Sequence, residues 1–251
     1  MKLFETLGKW ADELRARSAN HGYACDVCGK EVFRYPKERL CVGCEAEMKE
    51  NLVTRPCEKC GRQTVAEGVC LECKRTLPAF RKGYAVYSYD ERLRALVTRF
   101  KMGERHLAYL LAERLYEKLQ AEFSAETLEN ALFVPVPSSD QRRRERGYNQ
   151  AEELTKALAA IGGFHAEYDL LVKTRDNPAQ KTMDHGSRAE NVRGAYRVHK
   201  RTLCKDRIII LVDDVRTTGA TGNECGRVLM NAGAAMVYAV VTAALPERLD
   251  V

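Results

Sequence analysis

Near the end of the 251-residue chain, an unbroken apolar run over 208–212 meets two carboxylates, Asp213 and Asp214. Val215-Arg216-Thr217-Thr218-Gly219-Ala220-Thr221 follows and leads into a helical pattern. A strand, two acids and a turn rich in hydroxyls form an arrangement that can hold a phosphorylated ribose. The turn offers backbone N–H groups, threonine hydroxyls and the positive end of a helix to a phosphate. Gly219 lets the backbone approach it closely. The acids, one sugar length upstream, can accept hydrogen bonds from ribose hydroxyls. In open α/β sheets, ligands sit at the carboxyl ends of strands, where this segment would lie. The plainer reading is a strand and a capped helix with solvated acids.

A second chemistry is written in cysteine. Eight of the ten cysteines form four Cys-x-x-Cys pairs in the first 73 residues: Cys25/Cys28, Cys41/Cys44, Cys57/Cys60 and Cys70/Cys73. Two thiolates on one tight turn can reach one metal, and four close a tetrahedral Zn²⁺ site with Zn–S of about 2.3 Å. Gly29 and Gly61 follow their knuckles, where a tight or left-handed backbone is useful. Disulfides would need an oxidising compartment, and a thioredoxin-like redox pair would be single and beside a βαβ unit. Structural zinc is therefore expected. Sequential sharing is the preferred pairing, with interleaving of the first and third pairs left open. Cys204 and Cys225 stand alone and read as small core residues.

The elements that must position these groups follow from pattern. Alternation over 84–89 predicts a strand. Residues 91–100 and 106–120 read as helices, and 132–136 as a short strand stopped at Pro137. A helix is expected over 149–161, closed by Gly162-Gly163, with a further strand over 168–172. Residues 173–193 are polar and loop-like. Beyond the strand at 208–212, a helix over 221–232 ends at Gly233, and 235–243 is again strand. Strands alternating with helices predict an α/β fold, a parallel sheet with helices on both faces. Three units are expected: an N-terminal helix over 1–22, a cysteine-rich module over 23–76 and the α/β domain over 83–251. The first has Leu3, Phe4, Leu7, Trp10 and Leu14 at helical spacing, a stripe that suits packing on the rest of the protein better than a membrane anchor.

Composition sets bounds. At 45% hydrophobic and 30% charged residues the chain can bury a core and stay in solution. The net charge of +6 suits an anionic ligand or nucleic acid without proving either. The charged N-terminus shows no apolar secretory core, and no stretch approaches the roughly 18 apolar residues of a membrane span, so a cytoplasmic protein with reduced thiols is expected.

The segment 209–221 resembles the PRPP-binding signature of type I phosphoribosyltransferases. Val134-Pro135-Val136-Pro137, the basic run 141–146 and Arg146-Gly147-Tyr148-Asn149-Gln150 resemble the ComF family, as do Gln180, Arg188, Asn191, Val192 and Tyr196. Phe100-Lys101 and the cysteine-rich front half fit as well, so the resemblance covers nearly the whole chain. Two departures stand out: Arg216 replaces a small apolar residue, and Tyr148 and Tyr196 replace phenylalanine.

The resemblance implies a type I phosphoribosyltransferase-like domain behind an N-terminal double zinc ribbon with two Zn²⁺. It implies PRPP binding by Asp213, Asp214, Arg216, Thr217, Thr218, Gly219, Ala220 and Thr221, with Mg²⁺ on the pyrophosphate. The loop after Val136 becomes the pyrophosphate loop and 175–193 a hood over the site, with Ser138, Ser139, Arg146, Lys181 and Arg188 as candidate contacts and Arg142, Arg143 and Arg144 as further cations. The implied role is DNA uptake during natural competence, with single-stranded DNA and uptake or recombination proteins as partners. Tyr84, Tyr87, Tyr89 and Tyr148 could stack on bases, although core packing suits them better. The alternatives are an active phosphoribosyltransferase, moving phosphoribose from PRPP to a base or amine in nucleotide metabolism, and a zinc module that docks on another protein. No residue names an acceptor, so no catalytic residue is assigned.

Overall fold

A computed structural model describes residues 24–34, 36–175 and 192–247. The expected helix over 1–22, with Leu3, Phe4, Leu7, Trp10 and Leu14, lies outside these residues. So do most of the expected hood and its Gln180, Lys181, Arg188 and Asn191.

The cysteine-rich segment contributes two helices, α1 (Val42–Glu50) and α2 (Leu71–Arg75). Then follow β1 (Lys82–Ser88), α3 (Glu91–Lys101), α4 (Leu107–Glu122), α5 (Ala125–Asn130) and β2 (Leu132–Pro135). Next come α6 (Asp140–Arg146), α7 (Gln150–Gly162), β3 (His165–Ala166), β4 (Leu171–Lys173) and β5 (Tyr196–Val198). The chain closes with β6 (Ile208–Arg216), α8 (Ala220–Asn231) and β7 (Met236–Ala244). Among the described residues no helix is long and apolar enough to cross a membrane.

Five strands form one parallel sheet in the order β1-β7-β6-β2-β3. Its two faces are read directly from strand alternation. Phe133, Ile210 and Val212 point into a core shared with Leu93 and Phe100 of α3, Leu110 and Leu111 of α4, and Leu154 and Leu158 of α7. Leu132, Val134, Ile209 and Leu211 point the other way, onto Cys225 and Leu229 of α8 and onto Leu171 and Tyr196 of the antiparallel β4–β5 hairpin. The sheet is thus covered on both faces, as the apolar strand runs require.

Among the elements that differ from the expectation, the strand expected over 168–172 is the shorter β4 in a separate antiparallel pair, and two others shape the site. The strand expected over 208–212 continues through both acids to Arg216, because β7 keeps pairing with it to the register Arg216↔Ala244. The basic run is a helix: the Ser139 side chain accepts from the Arg142 N–H at its start, and Gly147 ends it in the left-handed conformation at φ 77°.

The two cysteine-rich halves attach differently. Val32, Leu40 and Met48 of the first merge with the main core. Arg99 of α3 donates to the Asp26 and Val27 carbonyls at 2.9 and 2.8 Å. The second half has a core of little more than Cys57, Cys60, Cys70, Cys73 and Val69. Backbone holds it: the Gly83 N–H of β1 donates to the Lys59 carbonyl at 2.7 Å, and the Glu247 N–H to the Gln63 carbonyl at 2.8 Å. The approach at Gly83 is so close that a Cβ there would sit 2.7 Å from the Cys60 carbonyl oxygen.

Gly83→Ala is therefore expected to force the knuckle and β1 apart at a cost of about 1–3 kcal/mol, typical of overpacking. A thermal melt checks this: a lowered midpoint is expected, and wild-type stability would show that the two backbones are not locked together.

Candidate functional site

A cleft of about 360 Å³ opens at the carboxyl ends of β2 and β6. It exists because the two strands stop at different places. The last bond between them runs from the Val136 N–H to the Val212 carbonyl at 2.8 Å, and Pro137 then turns the chain away. Beyond Val212, β6 is paired only with β7, so Asp213 and Asp214 border the gap that β2 leaves. Asn149 fixes the opposite wall. Its Nδ2 donates to the Val136 carbonyl at 3.0 Å, while its Oδ1 accepts from the Ala151 N–H at the start of α7.

Helical phase sorts the arginines. Arg142 and Arg146 lie one turn apart and both line the cleft with Ser138 and Ser139. Arg143 is paired instead with Glu152, and Arg144 is exposed and does not line the cleft. Arg146 donates to Gln150 Oε1 at 3.0 Å, and the buried Gln150 Nε2 has no partner among the described residues. A buried amide donor left in this way costs free energy unless something accepts from it.

Four cationic side chains, Lys101, Arg142, Arg146 and Lys173, line the cleft with the two carboxylates. Lys101, at the last turn of α3, pairs with Asp214 at 2.8 Å. Asp214 Oδ1 also accepts from the Val215 N–H at 2.7 Å, and Asp213 Oδ1 from the Asp214 N–H at 2.9 Å. Burial and the adjacent Asp214 carboxylate push the Asp213 carboxyl well above the usual range. The surplus of positive charge suits an anion with several charges, and the adjacent carboxylates suit hydroxyls or a hard cation.

The turn after β6 adjoins the cleft. Thr217 and Thr221 face it, and residues 217–222 also line a smaller cavity of about 60 Å³. Gly219, at φ 82°, precedes α8; the Ala220 N–H donates to the Thr218 hydroxyl at 3.4 Å, and the next N–H groups of that first turn, of Thr221 and Gly222, are the ones a helix start offers to an anion. A Cβ at Gly219 would lie 2.6 Å from the Arg216 guanidinium, so a side chain there would have to adopt the left-handed backbone and also displace Arg216. Arg216 folds beneath the turn, with its guanidinium 5.7 Å from the Phe80 ring centroid and donating to the Cys60 carbonyl at 2.8 Å.

The eight paired cysteines gather as two sequential sets, Cys25/Cys28/Cys41/Cys44 and Cys57/Cys60/Cys70/Cys73, with the Sγ atoms of each within 4.8 Å of one another. Separations of 3.6 Å for Cys28–Cys41 and 3.7 Å for Cys60–Cys70 are far from a disulfide. They match the edge of a tetrahedron of thiolates around one ion, about 3.8 Å. Each set can hold a metal ion. Cys204 and Cys225 are buried in the α8 face of the core.

Several site residues were not legible as such. Lys101 entered only as part of a matching dipeptide, Gln150 only as the last residue of a matching motif and Tyr89 only as one of four tyrosines that could stack on bases, while Lys173 carried no signal beyond its type. Tyr84, Tyr87 and Tyr148 are core residues, and the Tyr148 hydroxyl donates to the Phe100 carbonyl.

No family model matches the chain. It is 25% identical over 221 residues to competence protein ComFC of Bacillus subtilis, covering 85% of this chain and 87% of that protein. It is 27% identical over 220 residues to DNA utilization protein YhgH of Salmonella typhimurium, covering 87% and 88% respectively. Among solved structures, the hypoxanthine-guanine phosphoribosyl transferase of L. donovani is 14% identical over 55% of this chain and 71% of that one, with a TM-score of 0.34. The resemblance to the ComF family read from the sequence is thus borne out by curated relatives that align with this chain over most of its length.

Proposed function

We propose that the cleft binds PRPP or a closely related phosphoribosyl ligand, and that the protein works in handling DNA taken up by the cell. The observation that carries this reading is the meeting of four cationic side chains, two carboxylates and the 217–221 turn at one strand end. Each part of PRPP has a matching surface. The turn and the start of α8 suit the 5-phosphate. Asp213 and Asp214 suit the ribose hydroxyls. Arg142, Arg146, Lys101 and Lys173 suit the pyrophosphate, with the unpartnered Gln150 amide as a further donor. Ser139 keeps its hydroxyl on the Arg142 N–H and so holds the first turn of α6 in place.

Magnesium fits this cleft because carboxylate and phosphate oxygens are its preferred ligands; it would neutralise pyrophosphate charge, with Asp213 and Asp214 the protein groups able to face it. The names of the relatives, in competence and DNA utilization, support the DNA role. Arg143, which pairs with Glu152, and Arg144 are exposed on α6 outside the cleft lining, and within the basic run they are the cations left to meet a single strand. A cytoplasmic location goes with this reading. The two cysteine sets hold structural Zn²⁺, whose binding supplies folding energy above all to the second set, which has little apolar core.

Metal analysis of protein purified without chelator should return about two zinc ions per chain, one for each thiolate set. One or none would count against the assignment.

The function is tested by two variants and two ligands. Asp213→Ala with Asp214→Ala should weaken Mg²⁺-PRPP at least about tenfold, the loss expected for charge-assisted hydrogen bonds, and leave a labelled oligonucleotide bound. Arg143→Ala with Arg144→Ala should leave PRPP binding intact. It should also flatten the salt dependence of single-stranded DNA binding, whose slope is about −0.7 per contacted phosphate. PRPP affinity unchanged in the first variant removes the ligand assignment, and absence of DNA binding by the wild type at low salt removes the DNA role.

A further inference from the structure

The phosphate turn is gripped from below by the second cysteine set. Arg62 follows the knuckle Cys57-Glu58-Lys59-Cys60-Gly61 directly and is 1% exposed. One arm of its guanidinium is ion-paired with Glu72 of α2, between Cys70 and Cys73. The other donates to the Thr217 carbonyl of the turn at 3.1 Å. Arg216 reaches back from the opposite side to the Cys60 carbonyl. The two arginines therefore cross, each from one partner to the backbone of the other. On the far side, Glu247 accepts from the Leu71 N–H at 2.7 Å and the Val65 N–H at 3.3 Å, which fixes the start of α2.

This clasp is hard to explain as packing alone. Burying a guanidinium is costly unless it is paired, and Arg62 Nε has no partner among the described residues. Four thiolates around a divalent ion carry net negative charge, which offsets that cost when the metal is present. The first cysteine set is also tied by arginines, but to α3 and α4 and not to the phosphate turn: Arg99 donates to its Asp26 and Val27 carbonyls, and Arg39 pairs with Asp26 and with Glu113. Lys30, which occupies the corresponding place after Cys25-x-x-Cys28-Gly29, is exposed, and that set joins the main core through apolar side chains. The clasp sits where the turn must hold its N–H groups convergent on a phosphate.

We propose that Arg62 is a positioning residue for the phosphate turn, and that metal in the Cys57/Cys60/Cys70/Cys73 set thereby controls the affinity of the cleft for its phosphoribosyl ligand. The second half of this statement rests on the cleft reading given above. The thiolate set fixes the Cys60 carbonyl and the α2 turn carrying Glu72. Those hold Arg216 and Arg62, and the arginines hold residues 216–219. Metal loss undoes the chain of contacts at its root while leaving the sheet, β2 and α6 in place.

The test is amide hydrogen exchange on the metal-loaded full chain, with Arg62→Ala, Glu72→Gln and Arg62→Lys compared with wild type. In Arg62→Ala that retains its metal, exchange over residues 216–222 should speed up about tenfold while 132–146 stays unchanged, and PRPP should bind about tenfold more weakly. Arg62→Lys, which keeps the charge and a donor, should recover part of both. If Arg62→Ala fails to fold or loses metal, Glu72→Gln carries the test, since its carboxylate is partly exposed. Unchanged exchange over 216–222 in a metal-loaded variant overturns the positioning role, and faster exchange with unchanged PRPP affinity overturns the control of binding. Exchange is read without ligand, so failure of the wild type to bind PRPP would strike the cleft reading and leave the clasp separately tested.

Discussion

The site depends on a mismatch in length between neighbouring parallel strands. β6 is nine residues long and β2 four, and β6 keeps its full pairing only on the β7 side. A central strand of a parallel sheet normally has every backbone group paired on both sides. Here β2 turns off at Pro137, and the edge of β6 that carries Asp213 and Asp214 faces α6 and α7 across an open gap. Two acids within a fully paired central strand would be buried and costly. At a half-paired end they can be met by Lys101, by backbone N–H groups and by a polar ligand.

The two cysteine sets then read as different devices on one scaffold. The first is continuous with the main apolar core, and Arg99 ties its knuckle carbonyls to α3. The second has almost no apolar core and is held by backbone at Gly83, by Glu247 and by the crossed pair Arg62 and Arg216. Arg216 departs from the small apolar residue that the family resemblance leads one to expect. The contact it makes with the Cys60 carbonyl gives that departure a structural purpose, and the glycine at 219 is the space it needs.

What could be read in advance was local. The β6 run, its acids and the threonine-glycine turn are contiguous, and so are the four cysteine pairs, whose sequential pairing the structure reproduces. The alternation of strands and helices sufficed for the parallel sheet covered on both faces. What could not be read was long-range or a matter of phase. Lys101 meets Asp214, and Arg62 meets Thr217, only once the chain has folded. Arg142 and Arg143 differ in role because they are 100° apart on α6, a phase that a short run of charged residues without apolar periodicity does not reveal. One asymmetry was available: an arginine follows the third knuckle where a lysine follows the first. The short β5 had no signal, since 22 residues separate it from its antiparallel partner β4.

The central claim is that one cleft recognises phosphate, ribose and pyrophosphate together. Calorimetric titration of the metal-loaded wild type with PRPP, ribose 5-phosphate and pyrophosphate, each in Mg²⁺, tests it most directly. PRPP should bind more tightly than either fragment, because only PRPP engages the turn, the two acids and the cationic wall at once. Pyrophosphate binding as tightly as PRPP, or no heat from any of the three, would contradict it.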